Sequence, residues 1–327
     1  MKDGHIELDG NIPHLGIEVD ESALAKIRGD GMNEKRVKVA VLGLGIMGSG
    51  MAGQLIAKGF DVAVWNRDRA KAQPLGHAGA RIAASPAKAA DGADFVVAMV
   101  ADDDASRRVW LSEEGAFAGM RAGAIAVDCS TLSVEWVHTL SAAAAERGID
   151  FIDAPVTGTK PQAAAGTLRF FAGGDPAVLA KSEGLFLAMG TELIRLGPVG
   201  NGAMLKLINN FLCGVQVASL AEALVMIERC GLDVQQAVGA LAAGAPGSPL
   251  VKMLAGRMLA RDYRPNFVAA LMAKDLRYAS VAFAEQGIAL ATADAARARF
   301  EAVAADFPDA DMAAVIEPIR AIRGPSR

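Results

Sequence analysis

A β-rich run, Val37-Lys-Val-Ala-Val-Leu42, passes directly into Gly43-Leu-Gly-Ile-Met-Gly48 and then into a helix-forming stretch, residues 49–58. No other feature of the chain leaves so few architectures open. A GxGxxG pattern says little alone, but between a strand and a helix it forms the phosphate turn of a parallel βαβ unit. The first glycine permits the tight turn, the second lets backbone approach a pyrophosphate, and the third lets the helix close on the strand. The helix N-terminus then offers N–H groups and the positive end of its dipole to the phosphate charge. Gly43, Leu44, Gly45, Ile46, Met47 and Gly48 are therefore the candidate dinucleotide-binding segment. The competing reading is a glycine-rich turn in some other α/β protein.

Which dinucleotide binds depends on the end of the next strand, Asp61-Val-Ala-Val-Trp65. An NAD enzyme usually carries an acid there, about 20 residues past the glycines, to hold the ribose hydroxyls. This chain has Asn66-Arg67 instead. A carboxylate would repel a 2′-phosphate, whereas an amide followed by a guanidinium can bind one. Asn66 and Arg67 thus point to NADP, with NAD possible. In the alternative, Arg67 stacks on adenine and serves either cofactor.

Strand-like and helix-like segments go on alternating to residue 196. Strands are read at 80–83, 94–100, 124–128, 149–153, 167–172 and 192–196. A helix is read at 68–75, and others start at Ser85-Pro86, Ser133 and Asp175-Pro176, each with a capping side chain. Repeated strand–helix units imply an α/β fold, a Rossmann-type doubly wound parallel sheet covered on both faces. From Gly197-Pro-Val-Gly-Asn201 the strands stop and helical stretches run to about residue 321. The expected domains are 35–198 for the dinucleotide and an all-α C-terminal domain, 199–327, for substrate and oligomerisation.

The first helix beyond that boundary carries Lys206, Asn209 and Asn210 within an otherwise apolar run, Gly202 to Ala218. Spacings of three and four put the three side chains on one helical face. Asn is a mediocre helix former, and two together are an odd choice for scaffold. Met204, Leu205, Leu207, Ile208, Phe211 and Leu212 leave little room for a broad wet face, the bland alternative. A lysine and two carboxamides aimed together into an interdomain cleft fit a small, oxygen-rich ligand.

Three loops at strand ends complete the candidate site. Asp128-Cys-Ser-Thr131 places Ser130 and Thr131 at the carboxyl edge of the sheet, with helix capping the live alternative for Thr131. The long loop from Asp153 to Thr167, containing Thr157 and Gly158, offers N–H and hydroxyl donors suited to a carboxylate. Val100-Ala-Asp-Asp-Asp104 reads equally as a loop beside the cofactor or as a helix cap.

Composition excludes several classes. A formal net charge of −4 and 5% aromatic residues give neither a basic footprint nor stacking platforms for nucleic acid. His5, His14, His77 and His138 are scattered and Cys129, Cys213 and Cys230 lack ligand spacing, so no metal site is expected. An odd cysteine count points to a reducing, cytoplasmic compartment. The run carrying Lys206 is too polar at its head for a membrane span.

Taken in order, the Gly43–Gly48 turn with Met51-Ala52, Asp128-Cys-Ser-Thr131, the 153–167 loop and Gly202-x-x-x-Lys206-x-x-Asn209-Asn210 resemble the β-hydroxyacid dehydrogenase family. That family includes 3-hydroxyisobutyrate dehydrogenases, tartronate semialdehyde reductases and glyoxylate/succinic semialdehyde reductases. Lys274-Asp275-Leu276 fits a fifth motif, and the resemblance covers about residues 36–320. It implies Lys206 as catalytic acid/base, Thr157, Gly158 and Asn210 on the substrate's carboxylate and hydroxyl, and Ser130 positioning substrate. Thr131 and Lys274 would contact the cofactor, as would Val100. Where relatives carry Ser-Gly-Gly, this chain has Thr157-Gly158-Thr159, which narrows the pocket by a methyl. Together with Asn66-Arg67, this looks more like the NADP-linked semialdehyde reductases. Residues 1–34 stand outside that plan and resemble the C-terminal tail of enolase-superfamily sugar-acid dehydratases, with Met32 a candidate start.

The expected function is hydride transfer between NADP(H) and a small carboxylate-bearing aldehyde or hydroxy acid in a homodimer or homotetramer. Imine reduction on the same architecture is one alternative, and a non-catalytic dinucleotide-binding module is another. Decarboxylation of 6-phosphogluconate fits poorly, since the chain lacks an extra basic cluster for a sugar phosphate.

Overall fold

The structure, a computed structural model, describes residues 36–322; the expected extension, 1–34, lies outside them. Strands β1 (Lys38–Leu42), β2 (Asp61–Trp65), β3 (Arg81–Ile82), β4 (Phe95–Ala98), β5 (Ile125–Asp128) and β6 (Asp150–Asp153) form one sheet. Its order is β3-β2-β1-β4-β5-β6, and every neighbouring pair is parallel. This is the expected Rossmann-type sheet. Its near-continuous apolar strands follow from burial on both faces. Val39, Val41 and Val97 pack with Met51 and Leu55 of helix Ile46–Ala57 on one side. Ala40, Leu42, Val96 and Ala98 face Trp110, Trp136 and Leu140 on the other. The chain winds one way from β1 and the other way from β4. A crevice opens at their carboxyl ends, the place where such sheets bind ligands.

The last three strands depart from the expected single series. β7 (Val156–Thr157), β8 (Leu168–Ala172) and β9 (Gly190–Arg195) form a separate sheet in that order, with β7 antiparallel to β8. The reason is the link from β6 to β7, only Ala154-Pro155. A parallel crossover needs a dozen or more residues, so β7 cannot continue the parallel series beside β6, and it pairs antiparallel with β8 instead. The two sheets touch through an isolated bridge between Asp153 and Gly173.

Beyond β9 the strands stop. Helix Asn201–Arg229 is followed by Val234–Ala243, Pro249–Leu259, Ala269–Ala284, Ala291–Asp306 and Ile316–Ala321. Asp233 and Ser248 cap two of these through their side chains. Helix Asn201–Arg229 is long and apolar enough to cross a membrane by length and composition. Here Val217, Leu220, Ala221 and Leu224 instead lie in a core with Leu254, Met272, Leu276 and Phe300 of the surrounding helices. A smaller cluster, Leu207, Tyr278, Ala279 and Ala282, packs with Val134 of helix Val134–Ala145 and joins the helical half to the main sheet's flank.

Candidate active site

The glycine turn has the geometry its spacing requires. Gly43 sits at φ +94, and a Cβ there would lie 2.3 Å from the Met99 carbonyl oxygen at the end of β4. A Cβ on Gly48 would lie 2.0 Å from the Gly43 carbonyl oxygen, so this glycine allows helix and strand to close. Gly45 is different: it is exposed, with nothing within 4 Å of its would-be Cβ, which leaves room for a ligand against the backbone. Helix Ile46–Ala57 starts from Gly45 without any side-chain cap. The first-turn N–H groups at Ile46, Met47 and Gly48 thus lack a capping side chain, and an anion at the turn would satisfy them. These residues fit a dinucleotide pyrophosphate.

Asn66 and Arg67 lie at the carboxyl end of β2, one strand to the side. The Asn66 side-chain oxygen accepts the Leu44 N–H at 2.9 Å, and its nitrogen donates to the Asp68 carbonyl at 2.8 Å. Its carboxamide therefore braces the glycine turn, and both ends are engaged. Arg67 is exposed and makes no ion pair among the described residues, so it is the group left for a phosphate or an adenine face.

On the helical side, Lys206 is half-buried and its amine has neither hydrogen bond nor ion pair among the described residues. Burial pulls its pKa below the ordinary lysine value. Asp275 and Cys213 push the other way, and Lys274 reinforces the drop. The neighbouring polar groups are tied together. Asn209 Nδ2 donates to Asn210 Oδ1 at 2.9 Å, and Asn210 Nδ2 donates to Asp275 Oδ2 at 2.6 Å. Asp275 Oδ1 lies 2.9 Å from Lys274 Nζ. Asn210 and Asp275 are 4% and 1% exposed, so this carboxylate is solvated by protein alone. Facing cations and an amide make such burial tolerable.

Lys274 extends the network to the sheet. Its Nζ donates to the Thr131 carbonyl oxygen at 2.5 Å, and one turn on, the Tyr278 hydroxyl accepts the Asp103 N–H at 3.3 Å. Helix Ala269–Ala284 thereby grips the loops after β5 and β4. Those loops are also bound to each other, since the Ser130 hydroxyl accepts the Val100 N–H at 2.9 Å. Ser130 is 2% exposed. Thr131 does not cap the next helix; Ser133 does. The aspartates after Val100 also serve as caps and braces. Asp102 caps helix Asp103–Leu111, and Asp103 accepts the Ser133 N–H and hydroxyl at 2.9 and 2.7 Å.

The 153–167 loop brings Thr157 and Gly158 to the same carboxyl edge. Gly158 has φ +137, and a Cβ there would meet Leu168 Cδ2 at 2.8 Å. Thr159 has an ordinary φ of −124 and shares a capping box with Gln162, so a third glycine is unnecessary there. Sequence reasoning missed three buried acids that organise these loops. Asp275 is one. Asp128 accepts from the Ser106 hydroxyl, the Trp110 indole and the Ser130 N–H at 3.0, 2.8 and 2.9 Å. Burial raises its pKa against the pull of those bonds. Asp153 accepts the Gly200 and Ala203 N–H groups at 2.9 and 2.7 Å, and burial pushes it up to about 7. The signal was available, since all three are acids inside apolar runs.

Among the described residues no group of His, Cys, Asp and Glu is placed to hold a metal. Residues 38–197 match the family described as the NAD binding domain of 6-phosphogluconate dehydrogenase. Residues 200–319 match the NAD-binding region of NADP-dependent 3-hydroxyisobutyrate dehydrogenase. Glyoxylate/succinic semialdehyde reductase 2 of Arabidopsis thaliana is 35% identical over 88% of this chain and 80% of the relative. An NAD-dependent L-serine dehydrogenase of Pseudomonas aeruginosa is 34% identical over 75% of this chain and 85% of its own. The solved structure of Mycobacterium tuberculosis 3-hydroxyisobutyrate dehydrogenase with L-serine superposes with a TM-score of 0.80 at 30% identity. It covers 88% of this chain and 100% of that one.

Proposed function

Because the chain belongs to the β-hydroxyacid dehydrogenase family, and is an NAD(P)-dependent hydroxyacid dehydrogenase, we propose that it reduces a small carboxylate-bearing aldehyde with NADPH, Lys206 acting as the acid. The non-catalytic alternative falls with the family assignment. The observation that carries this reading is the Lys206 amine itself. It is a half-buried lysine with no partner among the described residues, a lowered pKa, and a chain of hydrogen-bonded polar groups beside it. A structural lysine would normally be paired or solvated.

The bound dinucleotide would supply or accept a hydride at its nicotinamide. The Gly43–Gly48 segment would take the pyrophosphate, Arg67 the 2′-phosphate, and Val100, Thr131 and Lys274 the nicotinamide end. The Lys206 ammonium gives its proton to the substrate oxygen that becomes a hydroxyl, and the neutral amine takes it back in the reverse direction. Burial that lowers the pKa favours this exchange near neutral pH. Asn210 is held by Asp275 with its side-chain nitrogen already engaged. It therefore acts on substrate by fixing the wall beside Lys206, while Asn209 contributes at the rim. Thr157 and Gly158 would hold the carboxylate. The added methyl of Thr157 favours a slim semialdehyde or glyoxylate-like acid over branched ones. Ser130, whose hydroxyl is occupied by Val100, would position substrate by bracing the loop.

The division near residue 199 separates a cofactor half from a helical half that we assign to substrate and self-association. Helix Val234–Ala243 has no buried residue. Leu241 on this helix is exposed, as are Leu212 and Met226 on the helix before it, Leu232 in the turn between them and Met253 on the helix after it. An apolar surface of that kind supports a homodimer or homotetramer. Three free cysteines, one of them exposed, agree with a reducing cytoplasmic setting.

The test is Lys206→Ala, assayed with NADPH and NADH against glyoxylate, succinic semialdehyde, methylmalonate semialdehyde and tartronate semialdehyde. The expected result is unchanged cofactor affinity and a turnover loss of about 10²-fold or more. Near-normal turnover would remove Lys206 from the acid role. Turnover of cyclic imines without any aldehyde acid would replace the reading with imine reduction.

A further inference from the structure

Helix Asn201–Arg229, which carries Lys206, has a defect at its start. Its N-cap is Gly200, at φ +96, which has no side chain to satisfy the first-turn N–H groups. Asp153, at the end of β6, supplies what is missing from elsewhere in the chain. One carboxylate oxygen accepts the Gly200 N–H at 2.9 Å and the other the Ala203 N–H at 2.7 Å. Asp153 is itself immobilised. Its backbone N–H donates to the Gly173 carbonyl at 3.1 Å, and its carbonyl accepts the Gly173 N–H at 2.8 Å. It is 1% exposed.

The first turn of the helix sits directly on this anchor. A Cβ on Gly202 would lie 2.2 Å from the Phe171 carbonyl oxygen and 2.8 Å from both the carbonyl oxygen and Oδ2 of Asp153. Backbone therefore rests on backbone, and the helix can neither slide nor lift without breaking the carboxylate bonds. Lys206 lies four residues past Gly202, on the same face and about 6 Å further along the axis. We propose that Asp153 is the positioning residue for Lys206, a carboxylate clamp that sets the height of the amine above the sheet edge where substrate is held. The proposal rests on the acid role assigned to Lys206. The Gly200 and Ala203 N–H groups pull Asp153 toward its ionised form, and burial opposes them. The helix N-terminus attracts negative charge, and the His138 ring lies against Gly200, 2.7 Å from where a Cβ would be. Asp128 is the charged neighbour that opposes it.

A merely structural aspartate and a positioning one differ in a double-mutant cycle. Asp153→Asn keeps the shape but replaces one acceptor by an N–H₂ donor facing an N–H. It is made in the wild-type enzyme and in Lys206→Ala, and kcat and NADPH affinity are measured for all four proteins. With Lys206 present, kcat is expected to fall about tenfold or more, since a displacement of about 1 Å can cost that much. NADPH affinity stays within about twofold, and in the Lys206→Ala background the further loss is under about twofold. Equal losses in both backgrounds, or none in either, would overturn the clamp while leaving the lysine's role intact. Wild-type turnover of Lys206→Ala alone would overturn the lysine's role and the clamp with it. Should Asp153→Asn fail to bind NADPH, Asp153→Glu keeps both acceptors and moves them by one methylene. The same background-dependent loss is expected of it, and equal losses again refute the proposal.

Discussion

Gly202→Ala sets two physical arguments against each other. Gly202 is the second residue of helix Asn201–Arg229. By intrinsic propensity, alanine in place of a helical glycine stabilises by about 0.8–1.0 kcal/mol. Packing says the opposite. The new methyl would lie 2.2 Å from the Phe171 carbonyl oxygen and 2.8 Å from two oxygens of Asp153, all of them backbone or a clamped carboxylate. An ordinary separation needs about 1 Å more, and none of these atoms is the end of a flexible side chain. Overpacking of this kind costs about 1–3 kcal/mol, and strain on the two charge-assisted bonds from Asp153 adds to it. The expected net loss is about 1–2 kcal/mol, a fall in Tm of about 1.5–3 °C for a chain of this size. The same displacement is passed to Lys206 one turn on, so kcat should fall by about tenfold or more with NADPH affinity retained. The assay is a thermal melt alongside steady-state kinetics and NADPH fluorescence titration. A rise in Tm with wild-type kcat would refute the argument, because it would mean the helix start is not seated on the sheet.

Two further outcomes follow from the site. Asp275 raises the pKa of Lys206 against burial, so Asp275→Asn should depress it further. A reduction that needs the ammonium then loses activity as pH rises through that lower pKa. The alkaline limb of kcat should accordingly move to lower pH in the variant, and an unmoved limb would show that Asp275 does not act on Lys206. Arg67 is exposed at the end of β2 with no ion pair among the described residues. Arg67→Ala should weaken NADPH binding by about tenfold while leaving NADH within about twofold, read by fluorescence titration. Equal weakening of both would favour stacking on adenine instead.

Much of this molecule was legible in one dimension. The Gly43–Gly48 turn could be placed because strand, turn and helix are consecutive in sequence, and the close approach of the Gly43 carbonyl to Gly48 is a demand of the turn itself. Lys206, Asn209 and Asn210 could be placed on one face because helical periodicity is local. The caps at Ser85, Ser133 and Asp175 were readable for the same reason. Partnership across the chain was not readable. Nothing in the string says that Asn66 spends its amide on Leu44, that Asp275 binds Asn210 65 residues away, or that Asp153 closes a helix 50 residues downstream. Nor did alternation reveal that β7, β8 and β9 pair with one another outside the main sheet. Periodicity and turn chemistry are properties of neighbouring residues, so the sequence by itself determined the elements and the residue types at their ends. A buried carboxylate's partners are whichever groups tertiary packing brings within about 3 Å. Only the folded chain could decide which acids brace the site and which amine is left without a bonding partner among the described residues.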